Sequence, residues 1–199
     1  VTAVATLVLV NGPPASGKST IARHLVARRP LALNLDIDVV RALLGDWKGR
    51  PDDAGIAARR LARSMAREHL ASGHDVVVPQ FLARAEFIDQ LAETATTVDA
   101  RFVEIALLLS RSDAVEAFER RSSQPQSAQH RDAAEAVDAA GGTTALETMY
   151  DTFTEMVGNR STALLVEVVI GDVDATVARV ESVLDAAQAD VIRARSEDA

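Results

Sequence analysis

Gly12-Pro13-Pro14-Ala15-Ser16-Gly17-Lys18-Ser19 is a complete GxxxxGK[ST] stretch, and it directly follows the apolar run Thr6-Leu7-Val8-Leu9-Val10. A continuous apolar run of this length suits a central parallel strand covered on both faces. The glycine-rich turn, and the helix that has to follow it, converge backbone N–H groups on a polyphosphate. In such a cradle Lys18 reaches the β- and γ-phosphates, and the Ser19 hydroxyl joins a Mg²⁺ shell rather than acting as a nucleophile. Thr20 caps or packs beside them. ATP and Mg²⁺ are the expected ligands, and the open question is where the γ-phosphate goes.

Composition narrows the setting. A chain of 199 residues that is 48% hydrophobic can bury one substantial core, so a single domain spanning 1–199 is expected. The formal charge of -8 argues against a broad nucleic-acid-binding surface. There is no cysteine, which removes disulfide and thiolate chemistry. No apolar run approaches the roughly eighteen residues of a membrane span, and the chain enters a strand without a signal-peptide pattern. The expectation is a cytoplasmic protein with no membrane partner; a homodimer is left open. Of the 21 basic residues only Lys18 and Lys48 are lysines, a bias that a high-GC genome produces. Each arginine therefore has to be judged by its position.

Strand and helix signals alternate along the chain. Strands are expected at Val4–Val10, Leu31–Leu35, Asp75–Val78, Arg101–Leu109 and Ala163–Ile170. Helices are expected at Ser19–Arg28, Val39–Leu44, Asp53–Ser72, Arg84–Ala95, Asp113–Arg121, Asp132–Ala139, Leu146–Val157 and Asp174–Ile192, with Ser122–His130 polar and flexible. In the long helix Ile56, Leu61, Met65 and Leu70 fall broadly along one face, while Arg59, Arg60, Arg63 and Arg67 line another. This order implies an α/β three-layer fold with a five-stranded, mostly parallel sheet. The loops after the strands should meet at one cleft outside their carboxyl ends.

Several residues stand where those loops begin. Asp36 ends strand two, where it can orient an acceptor hydroxyl and take its proton, or simply start the next helix. Asp38 can organise Mg²⁺ or substrate, or cap that helix, and Arg41 lies one turn further on. Strand three runs into Pro79-Gln80-Phe81 with no Walker-B acid, which weakens the case for a GTPase or motor ATPase. Gln80 and Phe81 become acceptor-side candidates, joined by Arg59 and Arg63. Arg111, Arg120 and Arg121 bracket the helix after strand four and suit a lid over 111–142 that neutralises phosphate charge and excludes water. Asp113 suits a helix cap. Gly171-Asp172-Val173 follows the last strand, on the nucleotide side.

With Gly12–Ser19, Asp36 and the later arginines in place, residues 4–190 resemble the small P-loop kinases related to nucleoside-monophosphate kinases. Within that group the chain is most similar to the zeta-toxin, chloramphenicol-phosphotransferase and polynucleotide-kinase-like families. Val76-Val77-Val78-Pro79-Gln80-Phe81 also resembles the matching strand of tunicamycin-resistance proteins. The resemblance implies a P-loop NTPase fold with a helical lid. It also implies that Asp36 activates the acceptor hydroxyl, that Arg120 and Arg121 are lid arginines, and that Gly171 to Thr176 is an adenine-side loop. The expected activity is ATP-dependent phosphorylation of a hydroxyl on a small molecule, an antibiotic or sugar-like metabolite. A nucleotide or nucleic-acid-end kinase and a non-catalytic nucleotide-dependent regulatory module are the alternatives.

Overall fold

The computed structural model describes residues 4–125 and 127–197. Strand β1 (Thr6–Asn11) lies at the centre of a sheet because both of its faces are apolar and buried. It pairs in parallel with β3 (Val76–Pro79) through Leu7↔Val76 to Val10↔Pro79, and with β4 (Arg101–Leu108) through Thr6↔Arg101 to Asn11↔Ala106. Strand β2 (Leu33–Asn34) adds beyond β3 and β5 (Leu164–Glu167) beyond β4. The order is β2-β3-β1-β4-β5, and the sheet is wholly rather than mostly parallel. All of its carboxyl ends consequently share one edge.

Between the strands run α1 (Lys18–Ala27), α2 (Ile37–Ala42), α3 (Pro51–Ala71), α4 (Ala85–Thr96), α5 (Arg111–Ser123), α6 (Ala128–Ala139) and α7 (Thr143–Gly158), with α8 (Val173–Glu197) after β5. Strand periodicity sends alternate side chains to opposite layers. Leu7, Leu9, Val76 and Val78 meet α2, α3 and α4, whereas Val8, Val10, Val77 and Ile105 meet Ile21 and Leu25 of α1 and Val180 of α8. A smaller cluster of Phe118, Val137 and Leu146 holds α5, α6 and α7 to one another. Among the described residues no helix is long and apolar enough to cross a membrane.

The structure corrects several local expectations. Strands two and five are shorter than their apolar runs, since only Leu33–Asn34 and Leu164–Glu167 find ladder partners. The expected flexible stretch shrinks, because α5 runs on to Ser123 and α6 begins at Ala128. On α3 the buried stripe is Ala54, Ala58, Ala62, Ala66 and Leu70, at strict four-residue spacing. Ile56, Leu61 and Met65 are exposed at 54%, 45% and 43%. Small side chains let the helix backbone approach the sheet, so the alanines define its inner face and the larger residues sit outside it.

A buried charge ties the lower half of the molecule together. Glu104 of β4 is buried, and its Oε2 accepts a 2.8 Å bond from Arg160 Nε, while Arg160 Nη1 reaches Asp89 of α4 at 3.0 Å. Burial pushes the Glu104 carboxyl above its usual range even with Arg160 beside it. Replacing Arg160 with Met leaves that carboxylate buried without its cation. Urea unfolding should show a loss of about 3 kcal/mol at neutral pH. The raised carboxyl binds more protons in the folded state, so stability falls as pH rises above the ordinary carboxylate range. The deficit of the variant should therefore shrink on acidification toward that range.

Candidate functional site

The phosphate loop is shaped by two residues in the left-handed region, Ala15 at φ 65° and Gly17 at φ 91°. A tight turn closes it through Ser16 N–H donating to Pro13 O at 3.2 Å. A Cβ on Gly12 would lie 2.6 Å from Ser16 Oγ and 3.0 Å from Leu107 Cβ, so only glycine lets the chain pass there. Gly17 caps α1 without a side chain, which leaves the first turn of that helix facing the loop. Lys18 Nζ donates to Gly12 O at 2.9 Å and Pro13 O at 2.8 Å, holding the ammonium at the mouth. The Ser19 side chain is exposed in the same turn, while Thr20 Oγ1 accepts from Arg23 at 3.2 Å.

Asn11 fastens the loop to its neighbour. Buried at the end of β1, its Oδ1 accepts from Gly12 N–H and Leu82 N–H, both at 2.9 Å, and its Nδ2 donates to Leu82 O at 3.0 Å. From the sequence Asn11 is only the residue at which the first strand breaks and its loop begins, with no partner assigned to its amide. The available signal was a polar residue at the exit of a strand covered on both faces, where an amide has to find partners.

Charges converge on Lys18. Burial and the Arg121 guanidinium lower its pKa to about 7, while Asp38 and Asp36 act in the opposite direction. The end of α5 and the start of α2 thus face each other across the loop. Asp36 caps α2, accepting from Asp38 N–H at 2.9 Å and Val39 N–H at 3.4 Å. Both bonds use Oδ1, leaving Oδ2 without a partner among the described residues. Burial first, then Asp38, raises the Asp36 pKa, so this carboxylate is more basic than an exposed one. The cap expected of Asp38 belongs to Asp36; Asp38 pairs instead with Arg41 at 3.1 Å. Arg121 loses basicity to burial, and its Nε has no partner among the described residues. Burial, then Arg121 and Arg23, lowers the pKa of His130 on α6.

Beside the loop lies an apolar cavity of about 250 Å³, walled by Ala15–Gly17, Ile21, Leu109, Ala117, Arg120, Val168–Gly171, Val173 and Thr176. Gly171 has φ 78°, and Asp172 caps α8 by accepting from Ala175 N–H at 2.9 Å. A larger cavity of about 430 Å³, on the α7 side of β4 and β5, meets the loop only at Pro13. The smaller one has the dimensions and position for a flat base whose phosphates lie in the loop.

Three expected ligands are engaged elsewhere. Arg111 pairs with Asp151 and lies over the Tyr150 ring, both on α7. Arg63 bonds to Thr94 at 3.1 Å, Gln90 and Glu93, in the half of α4 that runs away from the carboxyl edge. Phe81 packs on Phe153 with ring centroids 6.2 Å apart. Arg59 is nearer the cleft, 5.9 Å from the Phe87 ring in the first turn of α4. Gln80 N–H donates to Val10 O at 3.1 Å, and its buried Oε1 has no partner among the described residues. Asp113 does not cap α5; Ser110 does, accepting from Asp113 N–H at 3.1 Å.

A family model described as an AAA domain matches residues 7–153. The fold is similar to that of a gluconokinase from Sinorhizobium meliloti 1021, with a TM-score of 0.56 at 19% identity over 91% of this chain and 96% of that one. It is similar to the Deinococcus radiodurans tunicamycin resistance protein, at 0.53 and 12% over 81% and 86%. A chain of the Pnkp1/Rnl/Hen1 RNA repair complex gives 0.61 and 15% over 81% of this chain but 48% of that one. At these identities the likeness is one of fold alone. A search of the curated proteins finds no significant match.

The low pKa of Lys18 gives nucleotide binding a pH dependence. A bound triphosphate stabilises the ammonium, so above about pH 7 binding takes up a proton. Affinity should fall as pH rises, approaching about tenfold per unit for one proton. Calorimetry in buffers of different ionisation enthalpy should show the uptake in the wild type and its loss in Lys18→Ala, which also binds triphosphate more weakly.

Proposed function

The chain belongs to the AAA domain family, and from that premise we propose that it is an ATP-dependent phosphotransferase acting on a hydroxyl of a small molecule, an antibiotic or sugar-like metabolite. The observation that carries this reading is Asp36. One oxygen of its carboxylate starts α2 and the other is unpartnered among the described residues, in a group made more basic by burial and placed within reach of the charge of Lys18. A fold shared with a gluconokinase and a tunicamycin resistance protein agrees with a small acceptor. The charge of -8 weighs against a nucleic-acid end. The proposed setting is the cytoplasm, where ATP is the donor.

In this reading the base of ATP occupies the apolar cavity, with Arg120 over it and the 171–173 backbone at its edge. The triphosphate lies along Gly12–Ser19. Asp36 orients the acceptor hydroxyl and receives its proton as that oxygen attacks the γ-phosphorus and the bond to the ADP oxygen breaks. Lys18 and Arg121 balance the charge on the transferring group. Gln80 Oε1 and Arg41 offer an acceptor and a donor to the remaining polar groups of the substrate. The donor set fits Mg²⁺ only in part. The Ser19 hydroxyl would hold it with phosphate oxygens and water, and Asp38 through water, since Arg41 already engages its carboxylate. Among the described residues no group of three or more acidic or histidine ligands could hold an ion alone. Bound there, Mg²⁺ would neutralise charge between the β- and γ-phosphates.

Asp36→Asn separates the two duties of the residue, because asparagine caps helices as well as aspartate does. The variant should fold and bind ATP normally while phosphoryl transfer falls by about 10²–10⁴-fold, measured as product formed across a library of hydroxyl compounds. Wild-type transfer would remove Asp36 as the base. The adjacent arginines should divide as well. Arg121→Ala should lower kcat by about a hundredfold or more, with Arg120→Ala acting chiefly on the KM for ATP.

A further inference from the structure

The turn between α2 and α3, residues 43–50, reaches across to α6. Lys48 Nζ lies 2.6 Å from Asp132 Oδ1 and 3.5 Å from Glu135 Oε2. Helix α2 issues from β2 and α6 follows β4, and in the sheet β3 and β1 separate those strands. The ion pair therefore passes over the edge at which β3 and β1 end, where Gln80 and the phosphate loop lie. On its α2 side the contact continues inward. Trp47 is flanked by Lys48 at 5.3 Å and Arg41 at 5.0 Å, and Arg41 pairs with Asp38, two residues from Asp36.

We propose that Lys48, with Asp132 and Glu135, is a clasp that shuts the lid onto the acceptor side of the cleft, and that Lys48, Trp47 and Arg41 are positioning residues linking the clasp to Asp36. The inference rests on the reading of the cleft as a phosphotransferase site. Its chemistry suits a gate that opens in every cycle rather than a permanent brace. Lys48 is 60% exposed, and exposed ion pairs are weak and screened by salt. Asp132 is mostly covered, so one half of the pair is held in place while the lysine comes and goes. Helix α7 is anchored to β4 through Phe153, Val157 and Ala106, whereas α6, which carries both acids, buries only Val137 against Phe118 and Leu146, so α6 is the part of the lid with least to hold it. Closed, the clasp keeps water from Lys18 and Asp36 until the acceptor is in place; open, it lets ADP leave.

Trp47 is the sole tryptophan of the chain, so its fluorescence reports the clasp directly. The test compares wild type, K48E, D132K and the charge swap K48E/D132K in the full chain. It reads acrylamide quenching of Trp47 and the release rate of a fluorescent N-methylanthraniloyl ADP. K48E should raise quenching about twofold and speed release about tenfold, the swap should recover most of both, and about 1 M salt should move the wild type the same way. The proposal is overturned by equal quenching and release in wild type and K48E, by singles that change without recovery in the swap, or by a wild type indifferent to salt. The salt arm needs no variant, so misfolding of D132K cannot shield the idea. Neither readout uses an acceptor: failure here leaves the phosphotransferase reading intact, and normal transfer by Asp36→Asn would leave the clasp intact.

Discussion

The ammonium of Lys18 has to stay charged inside a loop that takes it partly out of water, and the architecture around the loop is organised by that requirement. Burial and Arg121 both work against the charge; Asp36, Asp38 and the carbonyls of Gly12 and Pro13 work for it. These groups come from four separate places in the chain, the loop itself, the turn after β2, α2 and the end of α5. The balance holds only while each is kept in register with the loop. Asn11 supplies part of that register by pinning the first loop residue and Leu82 to the same amide. Triphosphate entering the loop tips the balance toward the charged lysine, so ligand and lysine protonation reinforce each other.

The layered architecture and the phosphate loop were legible in the sequence because each is written locally. Apolar runs bounded by turns mark buried strands, and the glycine and lysine spacing specifies a backbone shape. The alanine stripe of α3 was not legible, since hydrophobicity alone favours Ile56, Leu61 and Met65, whereas the tertiary fold rewards side chains small enough for close approach. Position along a helix was readable for Arg120 and Arg121, but which way each points was not. Arg111 and Arg63 look alike in sequence and find partners on α7 and α4, contacts made across 40 and about 30 residues of chain. Asp36 was read as either cap or base; the structure shows the cap, made through one oxygen alone.

Arg120 and Arg121 also show how one helix can face two different surroundings. Successive helical residues differ by about 100° in direction, so neighbours in sequence face different surroundings. Arg120 lines the apolar cavity and Arg121 faces Lys18, so α5 borders both the cavity and the phosphate loop. That division fails if α5 rotates by even part of a turn, and its rotation is set at the start of the helix. There Ser110 takes Asp113 N–H and donates to Asp113 Oδ2, the Tyr150 hydroxyl bonds to Leu109 O, and Arg111 reaches Asp151. The arginine expected on phosphate is thus engaged with α7. By tying the first turn of α5 to α7, it fixes the angle at which the two arginines at the far end present themselves to the cavity and to Lys18.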